Sequence, residues 1–196
     1  MLLTGKRFEK IENVVKKRQK YLTLVLENIH DPHNVSAILR SADSAGIDKI
    51  YLIYNSNKFP KIGKKSSASA KKWIELVKFN NVSECYKELK RQKYKMYSTH
   101  MSQTGKNYSL YELDLTKRVA LVFGNEHSGV SEEAGSLSDK NFLIPIYGMV
   151  QSLNVSVSVA VCVFEALRQR EIKGMYKKSA YTKSEIKEKF DLYGNK

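Results

Sequence analysis

Cysteine is scarce in this chain. Only Cys85 and Cys162 occur, far apart and outside any Cys-x-x-Cys pair or Cys/His cluster. That excludes a disulfide framework and a zinc site of the usual spacing, and the two thiols are expected to be small buried apolar residues in a reducing compartment. Four scattered histidines add no ligand set, so no metal is expected. Three prolines and ten glycines are too few for a low-complexity chain. No apolar run reaches the roughly 18 residues of a membrane span. The opening MLLTGKRFEK has no apolar segment of signal-peptide length, which makes a cytoplasmic chain the expectation.

Acid is also short. Thirty-four Lys and Arg face twenty Asp and Glu, leaving a formal charge of +14. Such an excess suits a polyanion partner, because each cation seated on a phosphate releases condensed counterions. A basic protein from an organism with Lys-rich coding is the plainer alternative. What remains is ordinary: an apolar fraction of 42% in 196 residues supports one compact domain with a tail or two.

Residues 6–20 place Phe8, Ile11, Val14 and Val15 at helical spacing among Lys and Arg, a short basic amphipathic helix. YLTLVLENI (21–29) reads as a buried strand. A turn, HDPHN, leads to a helix over 35–45, with Gly46 in the position that follows a helix end. KIYLIYN (49–55) is a second strand, and the lysine-rich stretch 56–72 a surface loop. WIELVKF (73–79) suits a third strand, and Val82, Cys85, Tyr86 and Leu89 repeat as a helix. KMYSTHM (95–101), RVALVFG (118–124) and NFLIPI (141–146) read as further strands, and SEEAGSL (131–137) as a helix capped by Ser131. The segment 154–170 alternates like a strand at VSVSVAVCV but runs without a break into the helix former FEALRQR, and is assigned as helix. Strands alternating with helices imply a mostly parallel sheet with helices on both faces, its ligand site beyond the carboxyl ends of the strands.

Three loops at such ends carry unusual chemistry. In the first, Asn34 sits where a helix cap would and Arg40 about six residues later; a cap and a solvated cation explain both. In the second, Gly124 and Gly129 flank Asn-Glu-His-Ser, so that Glu126 is either a ligand-facing carboxylate or part of an ordinary turn. In the third, Gly148, Met149, Gln151, Ser152 and Asn154 precede a helix, and Ser152 or Asn154 would serve as its cap. Neither GxGxxG nor GxxxxGK[ST] occurs, which excludes the common dinucleotide and P-loop fingerprints. Candidate phosphate contacts on the basic surface are Arg7, Lys16, Lys17, Arg18, His33, Arg168, Arg170 and Lys173.

The three loops in context, NIHDPHNVSAILRSADSAG, VALVFGNEHSGVSEEA and IPIYGMVQSLNVSVSVAVCVFEALRQR, resemble in order and spacing the three motifs of the SpoU branch of the SPOUT RNA methyltransferases. The resemblance covers nearly the full length. It implies a parallel α/β fold with a C-terminal trefoil knot, a homodimer, and S-adenosylmethionine as cofactor. On this likeness residues 1–20 are a basic N-terminal helix, 21–172 the methyltransferase domain and 173–196 a basic helical tail. Cofactor contacts fall on Thr99, Gly124, Ile144, Met149, Ser152, Leu153 and Asn154, and active-site positions on Asn34, Arg40, Glu126, Ser152 and Asn154. Ser36 stands where many relatives have Gly, a form that goes with the tRNA-acting members; His127-Ser128 departs from the usual pair and carries no role. The reaction implied is methylation of a ribose 2′-hydroxyl, at the D-loop guanosine of tRNA position 18. An rRNA ribose, or a non-catalytic role as a basic RNA-binding protein, are the alternatives.

Overall fold

A computed structural model describes residues 5–55, 59–60, 70–103 and 105–196. In chain order the elements are α1 (Gly5–Lys17), β1 (Leu22–Glu27), α2 (Pro32–Ser44), β2 (Lys49–Ile53), α3 (Ala70–Trp73), β3 (Glu75–Phe79), α4 (Val82–Arg91), β4 (Lys95–Ser98), β5 (Asn107–Ser109), β6 (Val119–Phe123), α5 (Glu132–Leu137), β7 (Lys140–Leu143), α6 (Val155–Ile172) and α7 (Lys183–Gly194). Most of the surface loop expected at 56–72 lies outside the described residues, and its end forms the single turn α3.

The strands form one seven-stranded sheet in the order β3-β2-β1-β6-β4-β7-β5. All of its pairings are parallel, with Leu24 opposite Ile50 on one side and Leu121 on the other. Strands β1 and β6 lie at its centre and are buried throughout, which is why they read as unbroken apolar runs. One face of the sheet packs on α2 and α6, through Val35, Ile38, Leu39 and Ala42 and through Val159, Cys162, Val163 and Ala166. The other face packs on α4 and α5, through Val82, Cys85, Tyr86, Leu89 and Ala134. A separate cluster joins Ile11 and Val15 of α1 to Tyr193, Ile186 and Phe190 of α7. Both cysteines are free and buried.

Several boundaries differ from expectation, and β5 lies where the sequence shows no strand. Helix α2 begins at Pro32 rather than Val35: the Asp31 side chain accepts from the His33 N–H, and Pro32 fills a first-turn position where no N–H is needed. Strand β4 stops at Ser98, and β7 stops at Leu143, two residues before Pro145, which has no N–H to give a ladder. Strand β5, only three residues long, has too little sequence to show a period. Ser131 caps α5 by accepting from the Ala134 N–H, and Gly46, at φ +83°, follows the end of α2, both as the sequence indicates. Residues 155–172 are helical throughout; the Asn154 side chain accepts from the Ser156 N–H, and the i, i+3, i+4, i+7 set at Val159, Cys162, Val163 and Ala166 faces the core.

Candidate active site

The carboxyl ends of β1, β6 and β7 open onto three loops, and hydrogen bonds between their side chains join them. Leaving β1, the chain passes Asn28 at φ +50°, whose carbonyl accepts from the Asn125 Nδ2 at 2.8 Å. In the second loop a Cβ added at Gly124 would lie 2.0 Å from the Gly129 carbonyl oxygen, so only glycine allows the two ends of the loop to meet there. Within that bend the Asn125 carboxamide oxygen accepts from the backbone N–H groups of His127 and Ser128.

Glu126 is the centre of the arrangement. Its carboxylate accepts from the Asn34 side chain at 2.9 Å and from the backbone N–H groups of His30 and Asp31 at 3.3 and 3.4 Å. Asn34, buried in the first turn of α2, turns its other amide atom to the third loop, accepting from the Asn154 Nδ2 at 3.1 Å. Asn34 is therefore not the cap of α2. Asp31 takes that part, which leaves Asn34 free to bridge Glu126 and Asn154. Nearby the Tyr54 hydroxyl donates to the Ile29 carbonyl at 2.8 Å, and burial, reinforced by the Glu126 charge, pushes that phenol above its ordinary range.

Burial alone would raise the Glu126 carboxyl, but the hydrogen bonds from Asn34 and from backbone N–H groups outweigh it and hold the group below the ordinary carboxylate range. A depressed folded-state pKa contributes stability above the unfolded value and loses it as pH falls through the folded one. The join should therefore hold at every pH above about 5, and loosen only in acid below the usual glutamate value of about 4.3. Ligand affinity measured by calorimetry from pH 5 to pH 8 is expected to show no step from Glu126.

Beside this join lies a cavity of about 530 Å³, within the range of small-molecule sites. Phe142, Ile144, Ile146 and Leu153 give it an apolar wall, and Thr99, Glu126, Ser152 and Asn154 a polar one. Of the residues singled out in the sequence, Thr99, Gly124, Glu126, Ile144, Ser152, Leu153 and Asn154 line it. Met149 does not: its side chain is fully exposed. Arg40 does not either; it is exposed on α2, and its side chain makes no hydrogen bond or ion pair with the described residues. Asn125, Gln151 and Ser158, unassigned from sequence, also line the cavity, as does His127. Only the Asn-Glu pair between two glycines hinted at Asn125. A flat ring fits the apolar wall, and the polar wall and loop backbone suit a charged small molecule such as S-adenosylmethionine. Among the described residues no group of three or more His, Cys, Asp or Glu could hold a metal ion, and no helix is long and apolar enough to cross a membrane.

Two of the expected phosphate contacts are corrected by burial. Arg18 is 1% exposed; it donates to the Tyr193 hydroxyl, to the carbonyls of Asp43 and Ile47, and to the Asp43 carboxylate at 2.6 Å. Arg170 is equally buried and donates to the carbonyls of Leu115, Tyr21 and Lys117 and to the Gln19 side chain. Both guanidiniums satisfy carbonyls where helices and strands end, and neither can reach RNA. Lys17 and His33 are exposed and Arg7 half-buried; Lys16 pairs with Glu12, Arg168 with Glu165, and Lys173 bonds the Thr116 hydroxyl.

The sheet and the three joined loops define an α/β RNA methylase: residues 21–164 match the SpoU rRNA Methylase family, and the chain belongs to it. It is 38% identical over 185 residues to the tRNA (guanosine(18)-2′-O)-methyltransferase of Aquifex aeolicus, covering 94% of this chain and 87% of that one. It is 42% identical over 173 residues to the enzyme of the same name from Thermus thermophilus, covering 88% of each. A crystal structure of the A. aeolicus TrmH/SpoU tRNA modifying enzyme superimposes with a TM-score of 0.89 at 36% identity, covering 97% of this chain and 95% of that chain.

Proposed function

We propose that this chain is an S-adenosylmethionine-dependent methyltransferase acting on the ribose 2′-hydroxyl of guanosine 18 in the D-loop of tRNA. The observation that carries the reading is the Glu126–Asn34–Asn154 join beside a cavity at the carboxyl ends of the strands. When bound there, S-adenosylmethionine supplies a methyl group already activated by its positive sulfur. The protein must then hold the ribose oxygen in line with that methyl and favour loss of the hydroxyl proton. Thr99, Gly124, Ile144, Ser152 and Leu153 bind the donor. Glu126, Asn34 and Asn154 fix the relative position of donor and ribose. Arg40 stabilises the developing alkoxide with its positive charge and its fork of donors while the proton leaves to solvent.

Methylation of an unmodified tRNA transcript, followed by nucleoside mass spectrometry, tests the assignment. One 2′-O-methylguanosine per tRNA is expected, and none on a transcript with adenosine at position 18. Methyl transfer to rRNA fragments alone would move the substrate to rRNA; RNA binding without any transfer would make the chain a binding protein.

Electrostatics supplies much of the tRNA affinity in this reading, through Arg7, Lys16 and Lys17 on α1, His33 beside the site, and Arg168 and Lys173 at the end of α6. The logarithm of affinity should fall with the logarithm of salt concentration, at roughly −0.7 per phosphate neutralised on single-stranded regions. Filter binding at several salt concentrations measures the slope, and a flat response contradicts the RNA assignment.

The knot and the homodimer complete the proposal. A knot suits the position of β7 between β4 and β5 and the return of α6 onto α2. The dimer is supported by the outer side of α6, where Val157, Phe164 and Ile172 are 47%, 49% and 74% exposed, and by exposed Tyr147, Met149 and Val150 in the loop before it. A second copy of this chain seated there covers apolar surface otherwise left in water. Sedimentation should show a species of twice the 22.5 kDa chain mass, and Phe164→Glu should shift it to monomer.

A further inference from the structure

Glu27 is the last residue of β1 and alternates with Val25 toward the face of the sheet covered by α4 and α5, away from the cavity. It is 3% exposed and forms no ion pair with the described residues. Burial first, and the Glu27 charge after it, push the Cys85 thiol up to about 12, and both effects also raise the Tyr86 phenol. The Tyr86 hydroxyl is engaged with Ala134 and Ser138 instead. A carboxylate in such a place is costly unless its hydrogen bonds serve a purpose. Among the described residues its one donor is the Ser131 N–H, 3.0 Å from Oε2.

Ser131 closes the loop that begins at Gly124, and it caps α5. The segment 27–31 thus holds that loop at three places: the Asn28 carbonyl on Asn125, the His30 and Asp31 N–H groups on Glu126, and Glu27 on Ser131. The first two lie at the exposed or half-exposed rim, where water competes for the same groups. Of the three holding groups on the β1 side only the Glu27 side chain is buried, and its hydrogen bond anchors the end of the loop whose residues 124–129 line the cavity.

We propose that Glu27 is a positioning residue for the methyl-donor site, holding the loop whose residues 124–129 wall the cavity from the opposite face of the sheet through the Ser131 N–H. This rests on the cofactor site proposed above. The two ideas fail in different ways: a wild-type chain that does not bind S-adenosylhomocysteine refutes the site, whereas the comparison of variants refutes only the part given to Glu27.

Glu27→Ala removes the acceptor, and Glu27→Gln keeps a carbonyl oxygen for Ser131. S-adenosylhomocysteine affinity by calorimetry should fall about tenfold or more in Glu27→Ala and stay within about threefold of wild type in Glu27→Gln. Amide exchange over 124–131 should speed up in Glu27→Ala while β1 and β2 keep their protection, and kcat at saturating donor should change far less than KM. Wild-type affinity in folded Glu27→Ala, or exchange that rises equally across the whole sheet, overturns the proposal. If Glu27→Ala does not fold, Glu27→Met takes its place, since it keeps the length and apolar bulk of the side chain, offers the Ser131 N–H no carboxylate, and leaves the Ser131 cap of α5 intact. It is held to the same criteria.

Discussion

Glu126→Ala is expected to lower kcat/KM for tRNA methylation by about 100- to 1,000-fold, equivalent to roughly 3–4 kcal/mol of transition-state stabilisation. Three donors meet on that carboxylate, and all three lose their acceptor together: the Asn34 side chain and the backbone N–H groups of His30 and Asp31. Hydrogen bonds to a charged acceptor contribute more than neutral ones, about 1.5–3 kcal/mol each. The damage also spreads, because Asn34 is the only side chain among the described residues that bridges Glu126 and Asn154. Without Glu126 the amide of Asn34 can rotate, and the cap of α6 loses its orientation toward the site. Glu126→Gln should fall between the two. Its carbonyl still accepts from Asn34, but its NH2 group meets backbone N–H donors. Steady-state kinetics on an unmodified transcript measures both, and activity within about threefold of wild type for Glu126→Ala would remove the join from the mechanism.

Arg40→Ala should cost about as much in kcat, roughly 100- to 1,000-fold, with no change in donor affinity and little in stability. The contrast follows from its surroundings. The Arg40 side chain is exposed and bonds to none of the described residues, so its removal disturbs no packing; a surface substitution of that kind shifts stability by about 0.5 kcal/mol or less. A residue that stabilises nothing in its own chain and yet controls the rate must act on the substrate. Arg40→Lys separates charge from geometry. Lysine keeps the charge but lacks the fork of donors, and a loss of about tenfold is expected. Near-normal activity of Arg40→Lys with an unchanged pH–rate profile would deny the guanidinium any special part.

The regular elements were legible where the apolar period is strong. Strands β1 and β6 are unbroken apolar runs because both faces of the sheet are covered, and α4 shows its buried stripe directly. Helix α6 was harder, since its Val residues alternate as in a strand; the run into FEALRQR settled it, and the core-facing set at helical spacing agrees. The start of α2 is ambiguous in the sequence because Asp31 and Asn34 are both good caps, and the proline between them decides in favour of Asp31. The meeting of the three loops followed from the rule for parallel sheets. That Asn34 bridges Glu126 and Asn154 did not, because the partners lie 92 and 120 residues away. Distance in sequence also hid the burial of Arg18 and Arg170. Each looks like a surface cation until carbonyls are seen to converge on it, those of Asp43 and Ile47 on Arg18 and those of Leu115 and Tyr21 on Arg170.

The central claim is that three loops enclose one methyl-donor site, and a crystal structure with S-adenosylhomocysteine tests it most directly. The account predicts the nucleoside in the cavity against Ile144 and Leu153, beside Gly124, with the Glu126–Asn34–Asn154 bonds intact. Electron density for the ligand at any other place on the chain, or those three side chains parted when it is bound, would contradict it.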